Sequence, residues 1–313
     1  MKEEAVQFGE AGSLVGIVTS GAHANSNQPA VLLLNPGIVH HTGPGRIYVK
    51  IARALAAQGF TVLRFDFSGI GDSAVRLDNR RFEESSVDET RAAMSFLHAT
   101  RGCDRFILMG GCSGAAVSLE TAECDRRVVG VIAINFPARA DQEGSESHRN
   151  HSHYYWNFAL RDLKSWRKLL TGQSDYRKIG RAVAQSAKRS LFGRSQESAS
   201  DQGFRAKLRE LAARQTHLTF MCSKGDPLLE DLRQAGGKDF RQLCAQRRVA
   251  CEIISGTDHT FSSLSDQERL VEAVLRRASV AASVAKLKVQ TPELTSSPAG
   301  ALSSHDRQGF VTG

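Results

Sequence analysis

The sequence predicts an α/β fold in which a mostly parallel central sheet carries helices on both faces. Short, continuously apolar runs are the first observation, because strands buried on both faces of a sheet have this pattern. Segments with apolar residues at helical spacing separate these runs, and such alternation is typical of a parallel sheet. Loops of small or polar residues follow the runs, at the edge where such sheets bind ligands. The runs occupy residues 31–34, 61–65, 106–109, 128–134, 217–222 and 250–254.

The remaining elements each have a local signal. Residues 5–18 contain two short strands around a Gly-rich hairpin turn. Apolar residues recur at helical spacing over residues 48–55, and Gly59 ends that helix. We expect Ser85 or Ser86 to cap the next helix. The apolar face of an amphipathic closing helix consists of Leu270, Val271, Val274, Leu275 and Ala278.

The pattern changes between residues 138 and 215, where the chain becomes aromatic and basic and partly helical in period. We interpret 138–215 as a helical lid inserted between two strands. The α/β core would then consist of residues 1–137 and 216–280. Residues 281–313 are rich in Ala, Ser, Thr and Pro, a composition typical of a disordered tail.

The net charge of +8 is concentrated in the predicted lid. Between Arg139 and Gln215 there are sixteen Arg and Lys against eight Asp and Glu, which gives +8 and leaves the rest of the chain neutral. Such a segment is either a solvated surface or a docking face for an acidic substrate or carrier protein. It contains no recognised nucleic-acid-binding motif, so we expect no nucleic-acid partner.

Composition excludes several other classes of protein. Hydrophobic content of 41% and charged content of 24% fit a globular protein. No apolar run approaches 18 residues, so we expect no membrane span. The six cysteines lack CxxC pairing, which favours a reducing cytoplasm over a disulfide framework or zinc site. His148, His151 and His153 lack a further ligand at metal-binding spacing, and we expect neither a metal nor a cofactor. The sequence does not decide the oligomeric state.

A candidate nucleophile lies where the apolar run 106–109 turns into an Ala-rich helix. Gly110 and Gly114 flank Cys112 at a spacing of two, which is the Gly-x-nucleophile-x-Gly pattern of a nucleophile elbow. Small residues also flank Ser113, so the adjacent serine is the alternative nucleophile. The strand register favours Cys112. A buried cysteine in a Gly-rich turn is the purely structural alternative.

A candidate acid and base follow later strands in the order nucleophile, acid, histidine. Asp226 follows the run 217–222 in a KGDP turn, and His259 follows the last strand in a GTDHTF loop. His259 would accept the proton of Cys112, and Asp226 would orient the imidazole. Asp226 could instead be a helix N-cap and His259 an ordinary loop histidine, and Asp258 is a weaker candidate for the acid.

The oxyanion hole of such a site needs two backbone N–H groups directed at one point. We expect one from Ser113, directly after the nucleophile, and one from Ile38, after the sequence Asn35-Pro36-Gly37. Because Ser113 begins a helix, we also expect the helix dipole to lower the pKa of the Cys112 thiol.

Three further residues are candidates for substrate binding. Arg46 precedes the helix that follows the oxyanion loop, so its side chain could reach the mouth of the cleft. Tyr155 and Trp156 offer aromatic surface within the basic lid. If these residues bind substrate, the acyl group has an anionic part. The alternatives are that Arg46 is a solvated helix residue and that the aromatics form the core of the lid.

With these motifs, residues 6–278 resemble the α/β-hydrolase superfamily, in its serine-aminopeptidase-like branch with a helical lid. The VLRFDFSGIGDS stretch is especially similar to that branch. The GxCxG elbow, the GPGR loop and the YY…W…LL lid pattern more loosely resemble hydrolases associated with bacterial exosortase and exopolysaccharide gene clusters. Two residues depart from the superfamily pattern. Asn35 replaces the usual histidine, and Cys112 replaces the usual serine, as cysteine does in dienelactone hydrolases.

The resemblance implies an α/β-hydrolase fold and a Cys-His-Asp triad. We therefore expect a hydrolase or acyltransferase that acts on an ester or thioester through a covalent acyl-enzyme. Its partner would be a small acyl substrate, with a coenzyme A or carrier-protein thioester among the candidates. The alternative is an α/β-hydrolase-fold binding protein whose site has degenerated.

Overall fold

A computed structural model describes residues 1–22, 27–138, 199–224, 226–257 and 259–290. Within these ranges, eight strands form one sheet in the order β1-β2-β4-β3-β5-β6-β7-β8. The strands are β1 (Lys2–Phe8), β2 (Leu14–Ser20), β3 (Ala30–Leu34), β4 (Thr61–Phe65), β5 (Phe106–Gly111), β6 (Val128–Ile134), β7 (His217–Ser223) and β8 (Val249–Ile254). The pairs β1–β2 and β2–β4 are antiparallel, and all other pairs are parallel. All strands except β2 therefore run in the same direction, and the carboxyl ends of these seven strands lie at one edge of the sheet.

The helices cover both faces of this sheet and enclose two separate apolar cores. The described helices are α1 (Ile47–Ala57), α2 (Phe82–Arg101), α3 (Ser113–Cys124), α4 (Ala199–Ala213), α5 (Pro227–Ala245) and α6 (Leu264–Gln290). Helices α1 and α6 bury their apolar residues on one face. Helices α2 to α5 bury theirs on the other face. This arrangement confirms the predicted fold class. None of the described helices combines the length and apolar character that a membrane span needs.

Helix α2 begins one turn before the predicted cap. Arg81 is the N-cap residue, and Ser85 and Ser86 lie inside the first turns of the helix. Both serines are buried, and their hydroxyls donate to the carbonyls of Phe82 and Glu83 instead of accepting from free N–H groups. The prediction that either serine caps the helix is therefore wrong.

The end of the predicted lid belongs to the core. Helix α4 falls within residues 138–215, yet Leu208 and Leu211 are fully buried in the core beneath α2 to α5. Phe204 stacks on Phe136 with the ring centroids 5.3 Å apart. The helix is amphipathic. Its apolar face is short, so the sequence pattern did not distinguish this core helix from the basic segment that precedes it. Residues 139–198, which include Tyr155 and Trp156, lie outside the described residues.

The closing helix is longer than predicted. It continues to Gln290, although the sequence predicts a tail from residue 281. Ala281, Ala282 and Ala285 are buried, and the Arg105 guanidinium donates to the Ala285 carbonyl at 2.9 Å. The small residues that suggested a disordered tail thus allow α6 to pack closely on the sheet. Residues 291–313 lie outside the described residues.

Candidate active site

Cys112 occupies a strained turn between β5 and α3. Its φ of 49° and ψ of −117° lie outside the regions that L-residues usually adopt. The Cys112 N–H donates to the Ile134 carbonyl at 2.9 Å, which ties the turn to the end of β6. Ser113 is the first residue of α3. Cys112, and not Ser113, is therefore at the apex of the turn, where strain is commonly retained for function.

The two flanking glycines are required by close backbone packing. A Cβ atom on Gly110 would lie 2.2 Å from the carbonyl carbon of Gly114. A Cβ atom on Gly114 would lie 2.5 Å from the Leu34 carbonyl oxygen. No side chain fits at either position, since contacts this short do not occur. The N-terminus of α3 can therefore pack directly against the ends of β3 and β5.

The environment of the Cys112 thiol favours its protonated form. Burial raises the pKa of the thiol, the Ser113 N–H that donates to the sulfur lowers it, and the charge of Asp226 raises it. The balance is a raised pKa. The Ser113 N–H at the helix N-terminus thus lowers the pKa as expected, but removal of the thiol from water outweighs this donor. A thiol in this state needs a base to become a nucleophile.

His259 and Asp226 form a hydrogen-bonded pair. His259 Nδ1 bonds to one oxygen of the Asp226 carboxylate, and the other oxygen accepts from the Leu228 N–H at 2.9 Å. Burial would raise the pKa of Asp226, but these two hydrogen bonds hold it below its usual range. An ionised carboxylate can only accept, so Nδ1 carries a proton, and in the neutral imidazole Nε2 is the acceptor. Asp226 is thus both the N-cap of α5 and the partner of His259.

Cys112 and His259 line the same cleft, which contains about 400 Å³ of non-atom space, part of it open to solvent. The cleft lies at the carboxyl edge of the sheet, as expected for this architecture. Its apolar walls are formed by Pro36, Pro44, Ile47, Ile134, Phe261 and Leu270. Tyr48, Asn135 and Thr260 add polar groups.

The two predicted oxyanion donors lie at the start of α3 and in the loop after β3. The Ser113 N–H is directed at the Cys112 sulfur, as described above. The Gly37 N–H donates to the Ser113 hydroxyl at 2.7 Å and ties the loop after β3 to α3. Val39 closes a turn on Pro36 at 3.2 Å, whereas in the described part of the chain no acceptor pairs with the Ile38 N–H.

Asp66 anchors the loop that carries Ile38. Its fully buried carboxylate accepts from the Asn35 amide at 3.2 Å, from the His41 backbone at 2.5 Å and from His41 Nδ1 at 2.7 Å. The Asp72 N–H is a fourth donor, at 3.2 Å. Ligand atoms of His41, Asp66 and Asp72 are close enough to suggest a metal site. Because four donors already saturate Asp66, we interpret the group as a loop anchor, which Asn35 joins in place of the superfamily's usual histidine.

Asn135 connects the elements that carry the base and the acid. It is buried directly after β6, with a left-handed φ of 46°. Its amide donates to the His259 carbonyl at 2.8 Å and accepts from the Ser223 N–H at 3.1 Å. Its own N–H donates to the Met221 carbonyl at 2.8 Å. Asn135 was not predicted as a site residue. An asparagine directly after a buried strand nevertheless indicates a special backbone conformation, because Asn tolerates a left-handed φ.

Tyr48 is a second residue of the site whose role was not predicted, since its sequence pattern indicates only a place in a helix. Its hydroxyl donates to the Leu34 carbonyl at 2.9 Å and accepts from the Gly111 N–H at 3.0 Å. The side chain therefore joins the ends of β3 and β5 and forms part of the cleft wall.

Arg46 lies away from the cleft wall. It is exposed at the start of α1, with a φ of 62°, and is not among the residues that line the cleft. Its charge is close enough to Arg64 to contribute to the lowered pKa of that guanidinium, after burial as the largest cause. The structure thus does not bring Arg46 to Cys112. Asp258, Tyr155 and Trp156 lie outside the described residues.

Comparisons with known proteins show that the chain shares its fold with α/β hydrolases. A family described as "Alpha/beta hydrolase family" matches residues 31–273. The proline iminopeptidase of Mycobacterium smegmatis superposes with a TM-score of 0.53 at 16% identity, over 91% of this chain and 100% of that one. The α/β hydrolase GrgF from Penicillium sp. sh18 gives 0.55 at 16% identity, over 90% and 100%. No curated protein sequence matches the chain. Identities this low indicate a shared fold and leave the substrate open.

Proposed function

The chain belongs to the alpha/beta hydrolase family, and on this basis we propose that it hydrolyses or transfers the acyl group of an ester or thioester through Cys112, His259 and Asp226. The observation that carries the proposal is the shared cleft. A cysteine at the apex of a strained turn and a histidine bonded to a buried carboxylate line it together. These are the nucleophile, the base and the orienting group of covalent acyl transfer.

In the first half of the reaction, His259 Nε2 takes the proton of the Cys112 thiol as the sulfur attacks the carbonyl carbon. A carbon–sulfur bond forms, and the carbonyl electron pair moves onto oxygen, where the N–H groups of Ser113 and Ile38 bind the negative charge. Asp226 stabilises the imidazolium. General-base catalysis typically contributes about 10²–10⁴-fold, and each oxyanion donor about 10²–10³-fold.

Collapse of this intermediate breaks the bond to the leaving alcohol or thiol, which takes the proton from His259. The acyl group is then held on Cys112 as a thioester. A water molecule gives a proton to His259 and attacks the same carbonyl, and the second collapse releases a carboxylic acid and returns the proton to sulfur. An amine or thiol in place of water yields acyl transfer, to which a thioester is well suited.

The raised pKa of Cys112 makes this route depend on His259. A thiol that stays protonated at neutral pH cannot react as a preformed thiolate, so proton transfer accompanies attack. A binding protein with a degenerate site would gain nothing from the His259–Asp226 bond or from the strain at Cys112.

The test is to trap the acyl-enzyme and to follow its formation against pH. We expect a butyryl thioester to add one acyl mass to the peptide that contains Cys112, with no adduct in Cys112→Ala. The rate should rise with pH through an ionisation that disappears in His259→Ala. Asp226→Asn should slow acylation at least about 100-fold, because the imidazole loses its orienting carboxylate.

Asp66 provides a matched control, because it is also a buried aspartate bonded to a histidine Nδ1. Asp66→Asn should loosen the oxyanion loop and lower activity, yet the rate of acylation should still rise with pH as it does in the wild type. If the wild-type protein forms no adduct with any ester or thioester, the result would contradict the proposed function and favour the alternative of a binding protein.

A further inference from the structure

We propose that the acyl group carried by Cys112 is a short, uncharged hydrocarbon chain, and that Phe261 determines its length. This inference depends on the proposed function and adds the class of acyl group. It differs from the anionic acyl group that a role for Arg46 would imply.

The walls of the cleft next to Cys112 are apolar. Ile134, Phe261 and Leu270 line it, and each is nearly buried in the core beneath α1 and α6. The polar groups of Tyr48 and Asn135 are engaged in the hydrogen bonds described above, so they offer little to a substrate. Among the described lining residues, His259 is the one side chain that carries a positive charge when protonated. An alkyl chain would replace water at such walls favourably.

The electrostatics of the cleft oppose an anionic acyl group. The charge of Asp226 reaches Cys112, where it contributes to the raised pKa of the thiol. A carboxylate on the acyl chain would meet this negative charge and would lose its hydration without gaining an arginine or lysine partner among the described lining residues. Arg46 and Arg269, which directly precede the lining residues Ile47 and Leu270, are exposed and do not line the cleft.

Phe261 has a strained backbone that directs it into the cleft. Its φ of 52° is left-handed, a conformation in which a bulky side chain is a true outlier. The residue is nevertheless 4% exposed and belongs to the same apolar core as Leu270. Glycine or asparagine would adopt this backbone with less strain. An aromatic ring here therefore contributes a surface that the smaller residues lack, and this surface forms part of the cleft wall.

The deep part of the cleft suits the acyl group and not the leaving group. The leaving group must accept a proton from His259 and depart, and the His259 side chain is 32% exposed. The acyl group stays bonded to the sulfur through both halves of the reaction. Leu270 and Phe261 lie on the buried side, with Leu270 2% exposed. The retained chain therefore extends toward Phe261, while the leaving group points to the open side.

The experiment compares acyl N-acetylcysteamine thioesters from acetyl to decanoyl with the succinyl thioester, whose acyl group carries a carboxylate. Adducts on wild-type Cys112 are measured by intact mass spectrometry, and kcat/KM is measured for each compound. We expect butyryl to exceed succinyl on the order of 100-fold, since an unpaired carboxylate is excluded from an apolar wall. Phe261→Ala and Leu270→Ala should each raise the octanoyl-to-butyryl ratio about tenfold or more, as added space accepts further methylenes.

Phe60 supplies the matched control, because it is buried in the same core and is not part of the cleft wall. Phe60→Ala should lower the melting temperature but leave the octanoyl-to-butyryl ratio unchanged. Adducts that favour succinyl, or ratios that move equally in all three variants, would overturn this inference and leave the proposed function standing. Absence of an adduct with every thioester would overturn both.

Discussion

Cys112 combines a strained backbone with a thiol whose pKa is raised. The strain places the sulfur in the cleft, next to the Ser113 N–H. In the proposed mechanism, the raised pKa keeps that sulfur protonated until His259 accepts the proton. Both properties favour Cys112 over Ser113 as the proposed nucleophile.

The first prediction concerns this assignment. Ser113→Ala should keep acylation of the enzyme, because the hydroxyl accepts from the Gly37 N–H and its loss leaves the Ser113 N–H in place. Cys112→Ser should fold normally but lose most activity, since a hydroxyl has a far higher pKa and is harder for His259 to deprotonate. Single-turnover rates and thermal melts measure both effects. An adduct on Ser113 in Cys112→Ala would reverse the assignment.

For individual residues, the sequence predicted the location of those that directly follow a strand in the chain. Cys112, Asp226 and His259 each follow a recognisable strand, and the structure brings them to one edge. Asn135 and Tyr48 were missed as site residues because their roles depend on partners far away in sequence. The Asn135 amide bonds to a carbonyl 124 positions later. The local sequence pattern cannot predict a contact between residues this far apart in the chain.

At the scale of elements, the junction of β5 and α3 is set by backbone contact. Helix α3 begins where β5 ends, and its first turn lies against the last residues of β3 because Gly110 and Gly114 have no side chains. The apolar runs predicted the strands well, since burial on both faces leaves a strong signal. The predicted cap at Ser85 or Ser86 failed because an N-cap preference is weak against the burial of a whole helix.

The second prediction compares glycines. Gly110→Ala or Gly114→Ala should destabilise the protein by about 3 kcal/mol or more, because the new methyl group meets backbone atoms that cannot move independently. Gly203→Ala is the matched control, as this exposed position in α4 has nothing within 4 Å of the added atom. It should stabilise the protein by roughly 0.5–1 kcal/mol. Urea denaturation of the three variants measures both. Similar stability for all three would contradict the packing argument.

The third prediction concerns Asn135 as a positioning residue. Asn135→Gly tolerates the left-handed backbone but removes the bonds to the His259 carbonyl and the Ser223 N–H. We expect kcat to fall at least about tenfold and stability to fall by about 1–3 kcal/mol, the cost of an unsatisfied buried N–H. KM should change little.

Asn79→Gly is the control for this substitution, since Asn79 is exposed and has a similar φ of 53°. It should leave kcat and stability unchanged. Equal losses in both variants would show that backbone conformation, and not the bridge to His259, explains the effect.

At the scale of the whole molecule, buried carboxylates link stability to acidity. Hydrogen bonds hold the pKa of Asp66 and of Asp226 below the usual range despite the opposing effect of burial. A carboxyl group whose folded pKa is lowered contributes stability above its unfolded pKa. That contribution is lost as the pH falls through the folded value.

The fourth prediction follows from this linkage. These two aspartates should leave the melting temperature nearly constant from about pH 7 to pH 5. Below about pH 4 the melting temperature should fall steeply, because an aspartate in the unfolded chain then takes up a proton. Asp66→Asn and Asp226→Asn should each start from a lower melting temperature and show a shallower fall. Thermal melts between pH 7 and pH 3 provide the measurement. A wild-type melting temperature that is flat down to pH 3 would contradict the assignment.

The buried thiols have a consequence for chemical durability. Burial is the largest cause of a raised pKa at Cys103, Cys112, Cys222, Cys244 and Cys251. Peroxide and other oxidants attack the thiolate, so these sulfurs should be oxidised slowly in the resting protein. In the proposed reaction, Cys112 becomes strongly nucleophilic only while His259 holds its proton, when a carbonyl compound already occupies the cleft. The proposed nucleophile is thus an oxidisable group that should resist peroxide whenever the cleft is empty.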